Sequence, residues 1–156
     1  MKENNNSKSF IGKQADDLGQ LIKVQIQPIL EKQGIIVPVK SCSIIHYLYH
    51  SENNSLADLA KKLNQSHQLV KQKLPRLMKL GLVQQVNDNN DKRRSIYSLT
   101  AKGMKQAQLL EDNSLMPVYE TLSEEIGANL YEVLNKAITS LKNKDLLTRF
   151  EELKNQ

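Results

Sequence analysis

The 156-residue chain has one cysteine, Cys42, no tryptophan, and only two phenylalanines and five tyrosines. A single cysteine cannot close an intramolecular disulfide, and it cannot supply a multi-cysteine zinc site. No apolar run approaches the ~18 residues a membrane span needs. The first ten residues, MKENNNSKSF, lack the apolar core of a secretory leader. Catalytic signatures are missing too: there is no P-loop, no G-x-G-x-x-G and no G-x-S-x-G. A membrane protein and an enzyme are therefore disfavoured. No cofactor is expected, and a cytoplasmic location is the expectation. What is present suits a folded soluble protein. Hydrophobic residues make up 39% and charged residues 25%, too apolar for a disordered chain. The length suits one domain's core.

The net charge of +5 is unevenly spread. Residues 1–50 carry 6 basic and 4 acidic side chains, residues 51–105 carry 11 and 4, and residues 106–156 carry 5 and 9. A basic middle third thus lies between a near-neutral start and an acidic tail. Clustered positive charge is the footprint of a polyanion binder, although a basic solvated face produces the same count.

Apolar spacing predicts a mainly helical chain with one small hairpin, an α+β class. Residues 1–8 are polar and expected to be disordered. Ile11, Ala15, Leu18, Ile22, Ile26 and Ile29 form one helical stripe, with Pro28 a candidate kink and Gly34 a candidate end. Pro38 suits the first turn of the next helix, which carries Ile44, Ile45, Leu48 and Tyr49. Ser55 then caps a short helix with Leu56, Leu59, Ala60 and Leu63 on one face. Ser66 caps a second helix with Val70, Leu74 and Leu77 on its buried edge and Gly81 just past its end. Two short helices joined by about three residues give the helix-turn-helix layout.

The exposed side of that second helix is predicted to carry His67, Gln68, Lys71, Gln72, Arg76 and Lys79. Next come a short strand through Leu82, Val83 and Val86, the polar turn N-D-N-N-D-K-R-R over 87–94, and a returning strand over Ser95–Leu99. Thr100 caps a further helix. From Met104 onward two stripes follow, Leu110, Leu115, Val118, Leu122 and Ile126, then Leu130, Leu134, Ala137 and Leu141, with Pro117 a candidate bend. A helix-turn-helix followed at once by a hairpin is a winged helix. Its helix fits the major groove of B-DNA, and a hairpin with arginines reaches a neighbouring minor groove.

The run SLADLAKKLNQSHQLVKQKLPRLMKLGLVQQVNDNNDKRRSIYSLTAKG, Ser55 to Gly103, resembles the DNA-binding core of MarR-family transcriptional regulators. Its most specific parts are D-K-R-R, matching the family's D-x-R wing, and S-L-T-A-K-G, matching the family's L-T-x-x-G. The flanking helices match only by position and length. The resemblance implies four segments: a disordered start (1–8), an N-terminal dimerisation helix and connection (9–37), the winged core (38–103) and C-terminal dimerisation helices (104–156). It implies a homodimer bound to a pseudo-palindromic double-stranded DNA operator, most simply as a repressor released by a small ligand or an oxidant. Ser66, His67, Gln68, Lys71 and Gln72 would face the groove, with Arg76 on phosphate or base. Arg93 would be the minor-groove reader, Asp91 its acidic partner, and Lys92 and Arg94 further wing contacts. Two positions depart from the family's pattern: Pro75 lies inside the recognition helix, so either the helix bends there or its C-terminal half sits differently on DNA, and Lys73 stands where an aliphatic residue is usual.

Other residues carry competing readings. His46 lies four residues after Cys42, so the pair is either an oxidant-sensing thiol or a packed, inert cysteine. His46 and His50 have metal-ligand spacing but no third ligand at matching spacing, so no metal site is expected. Tyr47, Tyr49, Tyr119 and His46 either line an effector cleft or are amphipathic core residues. A winged-helix module that binds proteins instead of DNA is the rival function.

Overall fold

The computed structural model describes residues 8–52 and 54–155. The disorder expected for 1–8 falls, except at Lys8, outside these residues. The chain divides into two compact units, one ending at Asn113 and the other beginning at Ser114. The boundary expected after Gly103 falls inside a helix of the first unit.

The first unit opens with α1, Ile11–Lys32, which runs through Pro28 as one helix. It ends where Gly34 takes φ +69°. There Gly34 N donates to Glu31 O at 3.1 Å and Ile35 N to Leu30 O at 2.9 Å. This is a Schellman cap, and its side-chain pair, Leu30 and Ile35, is buried. A single 3-10 turn, Val39–Ser41, leads into α2, Cys42–His50. The short strand β1, Asn54–Ser55, precedes α3, Leu56–Leu63, and α4, His67–Lys79, follows. The wing strands are β2, Val83–Asn87, and β3, Ser95–Leu99, and α5 spans Ala101–Asp112. The sheet order is β1-β3-β2, both pairings antiparallel. The expected hairpin is therefore a three-stranded sheet; β1, two residues long, carries no periodicity by which a sequence reading could find it.

One core holds this unit together. Ile44, Ile45, Leu59, Val70, Leu77 and Leu82 are wholly inaccessible and join Leu30, Ile35, Val37, Leu48, Leu74, Leu99 and Ala107 in a single cluster. Burying each such side chain contributes about 1.5–3 kcal/mol. The Gln106 side chain fastens α5 to the loop after α1, accepting from Ile36 N at 2.7 Å and donating to Gly34 O at 3.1 Å.

The second unit consists of α6 (Met116–Ile126), α7 (Leu130–Asn143) and α8 (Leu146–Lys154), and none of the three has a buried residue. Asn129 and Asp145 cap α7 and α8 through Glu132 N and Thr148 N. The bend expected at Pro117 lies earlier in the chain: the helix breaks between Asp112 and Met116, and Pro117 sits in the first turn of α6. A missing N–H costs nothing there, because first-turn donors have no partner within the helix.

Candidate nucleic-acid interface

The helix pair is built by its caps. Ser55 and Asp58 form a reciprocal capping box at the start of α3: Asp58 N donates to Ser55 Oγ at 3.2 Å, and Ser55 N to Asp58 Oδ2 at 2.9 Å. Asn64 ends α3 in the left-handed region, φ 51°, which Asn tolerates better than most residues. Ser66 Oγ accepts from Leu69 N at 3.2 Å and starts α4. The apolar edge Val70, Leu74 and Leu77 is buried, which sets the rotation of the helix about its axis. That rotation exposes Ser66, His67, Gln68, Lys71, Gln72, Arg76 and Lys79 together. Leu69, not singled out in the sequence, is exposed among them.

The bend expected at Pro75 does not interrupt α4, which continues to Lys79. Pro75 and Lys71 both lie on the exposed side. The rung Pro75 removes is the one to the Lys71 carbonyl. Lys73 is half-buried and donates to Gln65 Oε1 at 2.8 Å, which explains how a lysine occupies an otherwise aliphatic position. Burial, and then the charge of Lys40, lowers its pKa from the usual lysine value.

The wing is fastened to α4 at its base. A second Schellman cap closes α4: Gly81, φ +71°, donates to Met78 O at 2.9 Å, and Leu82 N to Leu77 O at 3.0 Å. The remaining carbonyls are taken from the far side of the hairpin. Lys102 Nζ donates to Leu80 O at 2.9 Å, Thr100 Oγ1 to Gly81 O at 2.5 Å, and Thr100 N to Leu82 O at 3.0 Å. Thr100 Oγ1 also accepts from Gly103 N at 3.0 Å, capping α5. A Cβ on Gly103 would stand 2.0 Å from Leu82 O, so only glycine allows α5 this close. The L-T-x-x-G segment is thus the lock between wing, recognition helix and α5.

At the apex, Asp88 N donates to Arg94 O at 2.8 Å and Arg94 N to Asp91 O at 2.9 Å. Asp91, Lys92, Arg93 and Arg94 are all exposed. The Asp91 carboxylate accepts from the backbone N–H of Arg93 at 2.9 Å, so it shapes the turn, whereas the resemblance gave it the guanidinium. The guanidinium with an ion-pair partner is that of Arg94, 2.7 Å from Asp58 Oδ2. Among the described residues Lys92 and Arg93 make no ion pair. Hydrogen bonds from Ser55, and then Arg94, hold the Asp58 carboxyl below its ordinary range. Its folded pKa being depressed, its stabilisation is present above the unfolded value of about 3.9 and is lost as pH falls through the folded value.

The other candidates separate. Burial pushes the Cys42 thiol up to about 11, against the direction an oxidant-sensing thiolate requires. Its Sγ lies 3.7 Å from Pro38 O, and His46 turns to Glu111 on α5. Tyr49 donates to Gln108 Oε1 at 2.5 Å, Tyr47 is half-buried with the Lys62 ammonium 5.9 Å from its ring centroid, and Tyr119 lies in the second unit. A cleft of about 790 Å³ opens elsewhere, between α1, the loop after it and α4. Val24, Ile36 and Val39 give it apolar walls, and Lys23, Lys40, Lys73 and Arg76 bring four cations to it.

A capped helix pair followed by a hairpin locked to the second helix defines a winged helix domain. Residues 41–103 match the family of winged helix DNA-binding domains. Comparison with curated proteins finds no match. Among solved structures, MepR of S. aureus in complex with DNA superposes with a TM-score of 0.67 at 24% identity, over 89% of this chain and 99% of that one. The heme sensor protein PefR from Streptococcus agalactiae, in complex with heme, gives 0.59 at 19%, over 94% and 97%. Adhesin competence repressor (AdcR) from Streptococcus pyogenes gives 0.55 at 22%, over 85% and 95%. The expected winged helix is borne out by the domain match, and these solved structures share its fold. Among the described residues no helix is long and apolar enough to cross a membrane.

Proposed function

We propose that this chain is a dimeric, sequence-specific DNA-binding transcriptional regulator of the MarR type, acting in the cytoplasm as a repressor and not as an enzyme. One observation carries the reading: the lock at Leu80–Leu82, Thr100 and Gly103 makes the exposed polar face of α4 and the exposed wing cations parts of one rigid piece. Pre-organised contacts of this kind lose little entropy on binding.

In this mechanism α4 lies in the major groove. His67, Gln68 and Gln72 present donors and acceptors to base edges, and Leu69 offers an apolar contact to a thymine methyl. Lys71 and Lys79 neutralise phosphates. Arg76 shares its location with the cationic cleft as well as the groove side of α4. Arg93, without a competing carboxylate, enters the minor groove, and Lys92 reaches the backbone beside it. Arg94 acts differently: its bond to Asp58 fixes the wing against α3, so it positions Arg93.

A second copy covers the apolar faces of α1 and α6–α8, where Leu21, Val24, Ile138, Leu141 and Phe150 stand exposed in the single chain. A two-fold dimer then reads two half-sites about one helical turn apart. The cationic cleft, adjoining α4, suits an anionic effector whose binding shifts the recognition helix. The neighbours named above include one bound to DNA and one bound to heme, which supports a ligand-responsive regulator. Release by oxidation of Cys42 is not part of the proposal, given its burial. The test is selection of bound duplexes from a random pool. The expected result is an inverted repeat with half-sites about 10 base pairs apart; a pool that stays random through all rounds overturns the reading in favour of a protein-binding winged helix.

A further inference from the structure

We propose that His46, His50 and Glu111 form a binding site for a divalent transition-metal ion of the zinc class, joining α2 to α5. His46 and His50 are one helical turn apart on α2, and Glu111 projects from the last turn of α5. One carboxylate oxygen, Glu111 Oε1, lies 2.5 Å from His46 Nδ1 and 3.3 Å from His50 Nε2. All three donor atoms lie within 4.8 Å of one another. A tetrahedral ion with bonds of about 2.0–2.1 Å holds its ligand atoms roughly 3.4 Å apart. Small rotations of surface side chains cover that difference, since the His46 and His50 side chains are 61% and 53% exposed.

The donor set selects the ion. Two imidazole nitrogens and one carboxylate oxygen suit Zn²⁺, Co²⁺ or Ni²⁺; Mg²⁺ and Ca²⁺ prefer oxygen alone, and Cu⁺ prefers sulfur. The two rings pack edge to face with centroids 4.6 Å apart, and His50 packs likewise on Tyr49 at 5.1 Å, which limits their rotamers before an ion arrives. The site is open to solvent, leaving an entry path and a fourth position for water or an exogenous ligand. Glu111 stands 61 and 65 residues from the histidines, so the third ligand that sequence spacing did not supply comes from the packing of α5 on α2. This proposal is independent of the DNA-binding reading.

The test titrates Zn²⁺ into the purified full chain against a chromogenic chelator, with Co²⁺ absorption reporting coordination geometry. The expected result is one ion per chain and the intense visible bands of tetrahedral Co²⁺. His46→Ala or Glu111→Gln alone should weaken binding at least tenfold, and the two together should abolish it. Cys42→Ser should leave it unchanged. Zn²⁺ should raise the Tm of the parent by several degrees and leave the double variant's Tm unmoved. All three positions are on the surface, so circular dichroism should show the variants folded. No binding by the parent, equal binding by the folded double variant, or loss of binding in Cys42→Ser would each overturn the proposal.

Discussion

The two units use the same amphipathic pattern to opposite ends. In the winged unit, Leu59, Val70, Leu77 and Leu82 meet other elements of the same chain and vanish from solvent. In α6–α8, apolar stripes of the same kind leave Ile138, Leu141, Leu146 and Phe150 exposed. Periodicity therefore says which face of a helix is apolar and nothing about what covers it. An apolar surface of this extent on a folded protein marks an interaction face. The winged core is complete within one chain, and in the proposed dimer α1 and α6–α8 are the elements that associate.

Breaking association should have the largest effect. Ile138→Glu with Leu141→Glu buries charge in the proposed dimer interface. Sedimentation should show monomers, and operator affinity should fall by about a thousandfold, as expected when two linked half-site contacts become one. The winged unit should keep its helical circular dichroism. Variants that stay dimeric would remove α7 from the interface.

Breaking the lock comes next. Gly103→Ala sets a methyl against the Leu82 carbonyl, and the helix or strand must shift. Chemical denaturation should show a loss of about 3 kcal/mol, whereas Gly19→Ala, with open space around it, should be neutral or stabilising. Equal effects at the two glycines would mean that the close approach of α5 has no energetic weight.

A finer contrast lies within the wing. Arg93→Ala should weaken operator binding about tenfold or more at unchanged stability, the loss of one minor-groove contact on each half-site. Arg94→Ala should act through Asp58 and cost less than about 1 kcal/mol of stability, as partly exposed ion pairs do. It should also make the unfolding midpoint less sensitive to acid below pH about 4. Identical affinity losses without any stability change would show both arginines contacting DNA directly.

The same contrast explains what the sequence could and could not disclose. Ser55, Ser66, Thr100, Gly34 and Gly81 act within a few residues, so the caps and helix ends they set were readable locally. Pro75 stays inside α4 because its local cost is outweighed by the buried Val70, Leu74 and Leu77 edge. Arg94 and Asp58, 36 residues apart, and Glu111 with its two histidines depend on which elements pack together, and no spacing rule reaches them. Asp91 sits where the D-x-R pattern places it, but its carboxylate bonds to the backbone N–H of Arg93 two residues on.

The central claim is that the locked α4-wing surface binds duplex DNA largely through its cations. The most direct measurement is the salt dependence of binding to the selected duplex, by mobility shift, for the parent and Arg93→Ala. Affinity of the parent should fall by about a thousandfold or more between 50 and 200 mM salt, linearly in log–log form, with a shallower slope for the variant. A flat profile, or the same slope and affinity for both proteins, would contradict the account.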